Sequence, residues 1–289
     1  MADLYRSAAH ESEVRRWCSD RLHAWQVPHT TGSVSTGLGD THLTFVGEGP
    51  DVCVYLPGTN FNAATSIGVL ARLSEHCRVV CADLPGQPGL SASRRPGDVT
   101  QGYAAWVGEV LQESRRGTGR VVLMGHSRGA AAALLAEPDA VDALILLSPA
   151  GLARVRMTPS LLLRSVTWLL RPTRLRSARL VELMAGGAPG DDLDLVVEWM
   201  TIVARSTRTT GAPGPLAADV LDRWRGRQVR MLAGERDIFF PPRRLAGPAR
   251  EHLGERVEIV PDVGHLLVDQ RPDVAAAALA DALGRDGPG

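Results

Sequence analysis

Four short runs in this chain are apolar at nearly every position: VCVYLP at 52–57, RVVCAD at 78–83, RVVLMG at 120–125 and ALILLS at 143–148. A strand with one wetted face alternates apolar and polar residues, so a run without alternation is buried on both faces. Helical spacing fills the gaps. NAATSIGVLARLSE at 62–75 carries Ile67, Leu70, Ala71 and Leu73, and residues 100–114 carry Tyr103, Trp106, Val107, Val110 and Leu111. A third helix is expected over 128–136. This β-α-β-α-β-α-β order with short connections specifies a parallel sheet covered on both faces by its crossover helices. Ahead of it come an amphipathic helix at 12–26 and two strand-like pieces at 30–34 and 42–46, with GLGD making the turn between them.

The alternation stops after Ser148. Residues 152–205 read as helical throughout, in the segments SLLLRSVTWLLR, RSARLVELM and LDLVVEWMTIVAR, and TRTTGAPGPLA then reads as a flexible return. The β-α pattern resumes with a strand at 228–233, a helix at 243–253, a strand at 256–260 and a final helix at 272–284. A helical insertion inside a parallel sheet is expected to form a cap or lid. The expected organisation is a core over 1–151, a cap over 152–215 and the rest of the core over 216–289.

Charge removes several function classes. The 32 basic residues are all arginine and balance 32 acids. With no lysine, neither a Walker-type phosphate loop nor Schiff-base chemistry is available. With no net charge, no basic field draws in nucleic acid or an anionic membrane, and neither is expected as a partner. Cys18, Cys53, Cys77 and Cys81 form no metal-like pairs, so no metal and no cofactor is expected, and the thiols read as buried small hydrophobes in a reducing compartment. The charged stretch MADLYRSAAHESEVRRW is unlike a signal peptide, and the expected location is cytoplasmic.

The strand at 120–125 runs straight into Gly125-His126-Ser127-Arg128-Gly129, followed by a run of alanines. Two glycines spaced around one serine give room for a sharp strand-to-helix turn that holds the hydroxyl out. Small residues at 130–133 let the next helix lie close to the sheet, and its N-terminus favours developing negative charge. Ser127 is therefore the candidate nucleophile.

A serine nucleophile needs a base, a group orienting that base, and donors for an oxyanion. Parallel sheets gather such groups at the carboxyl ends of their strands. Of eight histidines, His265 in PDVGHLLVD alone follows the last strand and precedes the last helix. His126 is expected to point to the other side of the turn. The strand ending in MLAGERDIFFPP offers Asp237 as the orienting acid, with Glu235 as its substitute. Oxyanion donors are expected from the Arg128 backbone N–H and from Thr59 or Asn60, after Pro57-Gly58 in LPGTNFN.

The stretches LPGTNFN, DLPGQPGLS, GHSRG, GERDIFFPP and VGHLL together make this chain resemble the α/β-hydrolase superfamily, over nearly its whole length. RWCSDRLHAWQVPH, followed by STGLGDTHL, is similar to the start of the small bacterial carboxylesterase-like branch. The resemblance implies an α/β fold with a mostly parallel eight-stranded sheet under a helical cap inserted after the sixth strand. It also implies a Ser127–Asp237–His265 triad. The HGGG run of some lipases is absent here, and residue 127 is not the aspartate of epoxide hydrolases and haloalkane dehalogenases.

The expected activity is cleavage of a carboxylic ester or lactone through an acyl-enzyme, on a small-molecule acyl substrate, by a monomer or homodimer. A thioesterase or acyl-processing enzyme, a carbon–carbon bond hydrolase and a non-catalytic binding module are the alternatives. Nine arginines lie in the cap region (154, 156, 164, 171, 174, 176, 179, 205 and 208) against five acids: Glu182, Asp191, Asp192, Asp194 and Glu198. They form either a site for an anionic or carrier-bound acyl group or a solvated helix face. Arg128, Trp168, Trp199 and Phe239 are the candidate substrate-binding side chains.

Overall fold

The computed structural model describes residues 4–115, 119–187, 193–208 and 211–285. Asp191 and Asp192 lie outside them, as does part of the 207–217 return. Eight strands form one sheet: β1 (His29–Thr36), β2 (Gly39–Val46), β3 (Val52–Leu56), β4 (Arg78–Ala82), β5 (Val121–His126), β6 (Ala143–Leu147), β7 (Val229–Gly234) and β8 (Val257–Val260). Their spatial order is β1-β2-β4-β3-β5-β6-β7-β8. The β1–β2 and β2–β4 pairs are antiparallel and every other pair is parallel.

The apolar runs are buried on both faces, as their lack of alternation requires. Cys53, Tyr55, Val79, Cys81, Val122, Met124, Ile145 and Leu147 face one core. Val52, Val54, Leu56, Val80, Ala82, Leu123, Leu144 and Leu146 face the other. The first core is closed by α1 (Ala8–His23), α2 (Ile67–Ser74) and α11 (Pro272–Ala282), through residues such as Val14, Leu70 and Leu279. The second is closed by α3 (Val99–Ser114), α4 (Arg128–Ala133) and α9 (Pro242–Pro248), through Trp106, Ala133 and Leu245.

Between β6 and β7 lie α5 (Pro159–Leu170), α6 (Arg174–Met184), α7 (Asp194–Ser206) and the short α8 (Ala218–Asp222). Residues 152–158 are not helical, contrary to the periodicity. Thr158 caps α5 by accepting from the Leu161 N–H, and Pro159 occupies the first turn, so the helix starts there. The helix expected over 62–75 divides into a 3-10 turn at Ala63–Thr65, opened by a capping box between the Asn62 and Thr65 side chains, and α2. Likewise the helix expected over 243–253 is α9 followed by a π-turn at Ala249–Leu253, with Pro248 at the junction. A short helix, α10 (Leu267–Gln270), precedes α11.

Candidate active site

Ser127 occupies the turn from β5 to α4 with φ +52° and ψ −111°, a conformation that a side chain rarely tolerates. The glycines beside it make the turn possible. A Cβ on Gly129 would lie 1.9 Å from the Leu56 carbonyl oxygen, and one on Gly125 would lie 2.5 Å from the Ala130 nitrogen. Backbone bonds hold the bend, since the Ser127 N–H donates to Leu147 O (3.0 Å) and its carbonyl accepts from the Ala131 and Ala150 amides.

Two strand ends bring the remaining groups to this hydroxyl. His265, in the loop between β8 and α10, places Nε2 2.9 Å from Ser127 Oγ. Its Nδ1 lies 2.8 Å from Asp237 Oδ2, beyond β7. A carboxylate only accepts, so Nδ1 carries the proton and Nε2 offers its lone pair to the serine O–H. All three residues are buried. Asp237 Oδ1 accepts from the Phe239 and Phe240 amides, each at 2.9 Å. Burial alone would raise this carboxyl's pKa. The imidazole, its hydrogen bond and the two amides outweigh burial and hold Asp237 below the ordinary carboxylate value. The Phe239 ring stands edge-on to His265 at 4.7 Å and shields the pair from water.

His126 departs from its expected direction. Its ring lies 5.2 Å from that of His265, on the site side of the turn, and its Nε2 sits 2.9 Å from the His265 carbonyl oxygen. A carbonyl only accepts, so Nε2–H donates. Burial first, then the neighbouring imidazole, push its pKa down to about 3, which keeps it neutral. It steadies the loop that carries His265.

The loop after β3 is pinned from both sides. Asn60, at φ +65°, donates its N–H to Gln87 Oε1 at 3.0 Å, so this amide is turned from the serine and is corrected as an oxyanion donor. Its carbonyl accepts from the Trp199 indole at 2.6 Å. The Thr59 N–H, expected beside Asn60 as a donor, makes no hydrogen bond among the described residues. The Arg128 N–H begins α4, where amides point out of the helix end. Gln87 was missed from the sequence, because a glutamine in a Pro-Gly loop carries no signal of the backbone it will meet.

A cavity of about 360 Å³ opens above Ser127. Trp168 and Phe239 line it, with Leu161, Leu180, Met184 and Met200 from the inserted helices. Trp199 does not line it. That side chain is fully buried behind it, with its indole stacked 4.7 Å from Trp17. Arg128 does not line it either: its Nε donates to Thr59 Oγ1 (3.2 Å) and one NH2 to the Gly211 carbonyl (2.6 Å). The guanidinium therefore braces two loops under the cavity wall.

The sequence profile of the alpha/beta hydrolase family matches residues 53–278. The chain belongs to this family. No sequence among the curated proteins matches the hydrolase. Among solved structures it is similar to the carboxylesterase CesB of Bacillus subtilis, with 20% identity, 96% of this chain and 99% of that one covered, and TM-score 0.76. It is also similar to the naproxen esterase of the same organism, with 17% identity, 97% and 99% covered, and TM-score 0.74. A third Bacillus subtilis chain superposes with TM-score 0.80 at 16% identity, covering 95% and 99%. At these identities the likeness establishes the shared fold of the hydrolase.

Glu235, the substitute for Asp237, points elsewhere: its Oε2 accepts from the Asp262 N–H at 3.2 Å on the surface of the hydrolase. Among the described residues no cluster of histidine, cysteine and acidic side chains is arranged to hold a metal. Nor is any of their helices long and apolar enough to cross a membrane.

Proposed function

We propose that this hydrolase cleaves an uncharged carboxylic ester or lactone bearing an apolar acyl group, through an acyl-enzyme on Ser127. The observation that carries the reading is the relay from Asp237 through His265 to Ser127, opening on a cavity lined mainly by apolar side chains, with no acid or arginine among the described residues that line it. Ser127 Oγ attacks the carbonyl carbon as His265 Nε2 takes its proton, and Asp237 stabilises the imidazolium through Nδ1–H. The Thr59 and Arg128 amides receive the charge that develops on the carbonyl oxygen. His265 then protonates the leaving alkoxide. Water, deprotonated by the same nitrogen, attacks the acyl carbon, and the proton returns to Ser127 as the acid departs.

The cap arginines lie outside this cavity, which favours a neutral acyl group over an anionic one. The esterases among the similar structures support the ester reading at the level of fold.

The test is turnover of p-nitrophenyl esters from acetyl to decanoyl by wild type beside Ser127→Ala. Serine-dependent turnover with an optimum at a medium acyl chain is expected, and a serine-directed fluorophosphonate should label the wild type alone. No turnover together with no labelling would overturn the acyl-enzyme reading.

A further inference from the structure

A helix that covers a core shows one apolar stripe and one polar face. Helix α5 has two apolar faces. Leu161 and Trp168 point inward and line the cavity, while Leu162, Leu163, Val166 and Leu170 point outward. Leu163 is 65% exposed and Leu170 76%. Met157, two residues before the helix, and Leu175, in the first turn of the neighbouring α6, are exposed as well. Six of the eight large apolar side chains exposed among the described residues fall between 157 and 175.

The charge of this segment is as one-sided as its apolarity. From 154 to 181 there are seven arginines (154, 156, 164, 171, 174, 176 and 179) and no acid. Glu182 reaches Arg164 at 3.8 Å and Asp194 reaches Arg174 at 2.9 Å. The other five have no ion-pair partner among the described residues. Exposed leucines interleaved with arginines match the boundary between acyl chains and anionic headgroups. Leucine alone would suit a protein partner equally well. The arginines at both ends of the stripe favour a surface that is negative throughout.

We infer that the outer face of α5, with Met157 and Leu175, docks on an anionic lipid surface. The expectation of no membrane partner rested on the net charge of the whole chain, but a surface responds to charge that is segregated. Met157 is both exposed and part of the cavity lining, so docking sets the cavity mouth against the lipid. The docking does not depend on the hydrolytic reading.

The experiment is co-sedimentation of the full chain with vesicles of phosphatidylcholine alone and of an equal mixture of phosphatidylcholine and phosphatidylglycerol. Binding to the mixed vesicles is expected, weakened by salt. It should fall by roughly tenfold or more in Leu163→Ser/Leu170→Ser, and also in Arg171→Gln/Arg179→Gln. These side chains are exposed, so circular dichroism should report unchanged folding for both variants. Equal binding to both vesicle types, or to neither, would overturn the inference. So would a concentration-dependent dimer abolished by Leu163→Ser/Leu170→Ser, because a second copy would then cover the face.

Discussion

The indole N–H of Trp199 meets the carbonyl of Asn60 at 2.6 Å, tying helix α7 of the insertion to the loop that faces Ser127. The same peptide segment is held from below by Gln87, whose Oε1 accepts from the Asn60 N–H. Trp199→Phe keeps most of the packing and removes this bond. The variant should lose about 1–3 kcal/mol of stability, since a buried carbonyl is left unpaired. Ester turnover should fall about tenfold, chiefly in kcat, because the loop loses its register. Urea unfolding and steady-state kinetics on one preparation check both.

Ser127 holds a backbone conformation that costs energy, at φ +52°. Ser127→Gly releases that strain, at the smaller cost of a more flexible unfolded chain. It should be inactive yet more stable than wild type by about 1 kcal/mol. Ser127→Ala keeps the strain and should be the less stable of the two inactive variants. Denaturant midpoints at constant slope decide the order.

Asp237 selects the His265 tautomer that faces Ser127 with a lone pair. Asp237→Asn allows the ring to present a proton there, and kcat/KM should fall by roughly 10³–10⁴. Glu235→Gln alters only a surface contact with the Asp262 amide and should stay within about twofold of wild type. Parallel kinetics of the two variants test the assignment of the acid.

Asp269 is partly exposed as a residue, but its Oδ2 is buried without a hydrogen-bond partner among the described residues. Burial raises its pKa from 3.8 to about 7. Between those values the folded carboxyl keeps a proton that the unfolded chain releases, so more protons are bound in the native state. Stability from this group therefore falls as pH rises across that window and is flat above it. The full span is on the order of 4 kcal/mol. Asp269→Asn should flatten the profile, matching wild type near the acid end and exceeding it above neutrality, as chemical unfolding across pH would report.

What could be read from the sequence was what is local or dictated by topology. The unalternating runs at 52–57 and 121–124 have no stable place except inside a covered sheet, and Gly125 and Gly129 mark the turn because no Cβ fits there. His265 and Asp237 followed from the rule that strand ends converge. Thr59 could not be separated from Asn60, because the Asn60 amide is turned by a glutamine 27 positions away. Trp199 was expected at the substrate, because helical spacing in α7 does not say that its indole meets a backbone carbonyl and not the cavity. The guanidinium of Arg128 took its direction from Thr59 and Gly211, which come together only in the folded chain.

The His265 amide donates to the Met184 carbonyl at 2.7 Å, and Gln270 spans the same joint, accepting from the Gly264 N–H and donating to Ala185 O. The last turn of α6 and the loop bearing the imidazole are thus one unit of backbone. An engineer who exchanges the insertion for that of another family member must place the seam ahead of Met184. A graft that replaces Met184 and Ala185 also replaces the support on which the base rests. Loss of activity in such a chimera would then report a displaced histidine rather than a mismatched pocket.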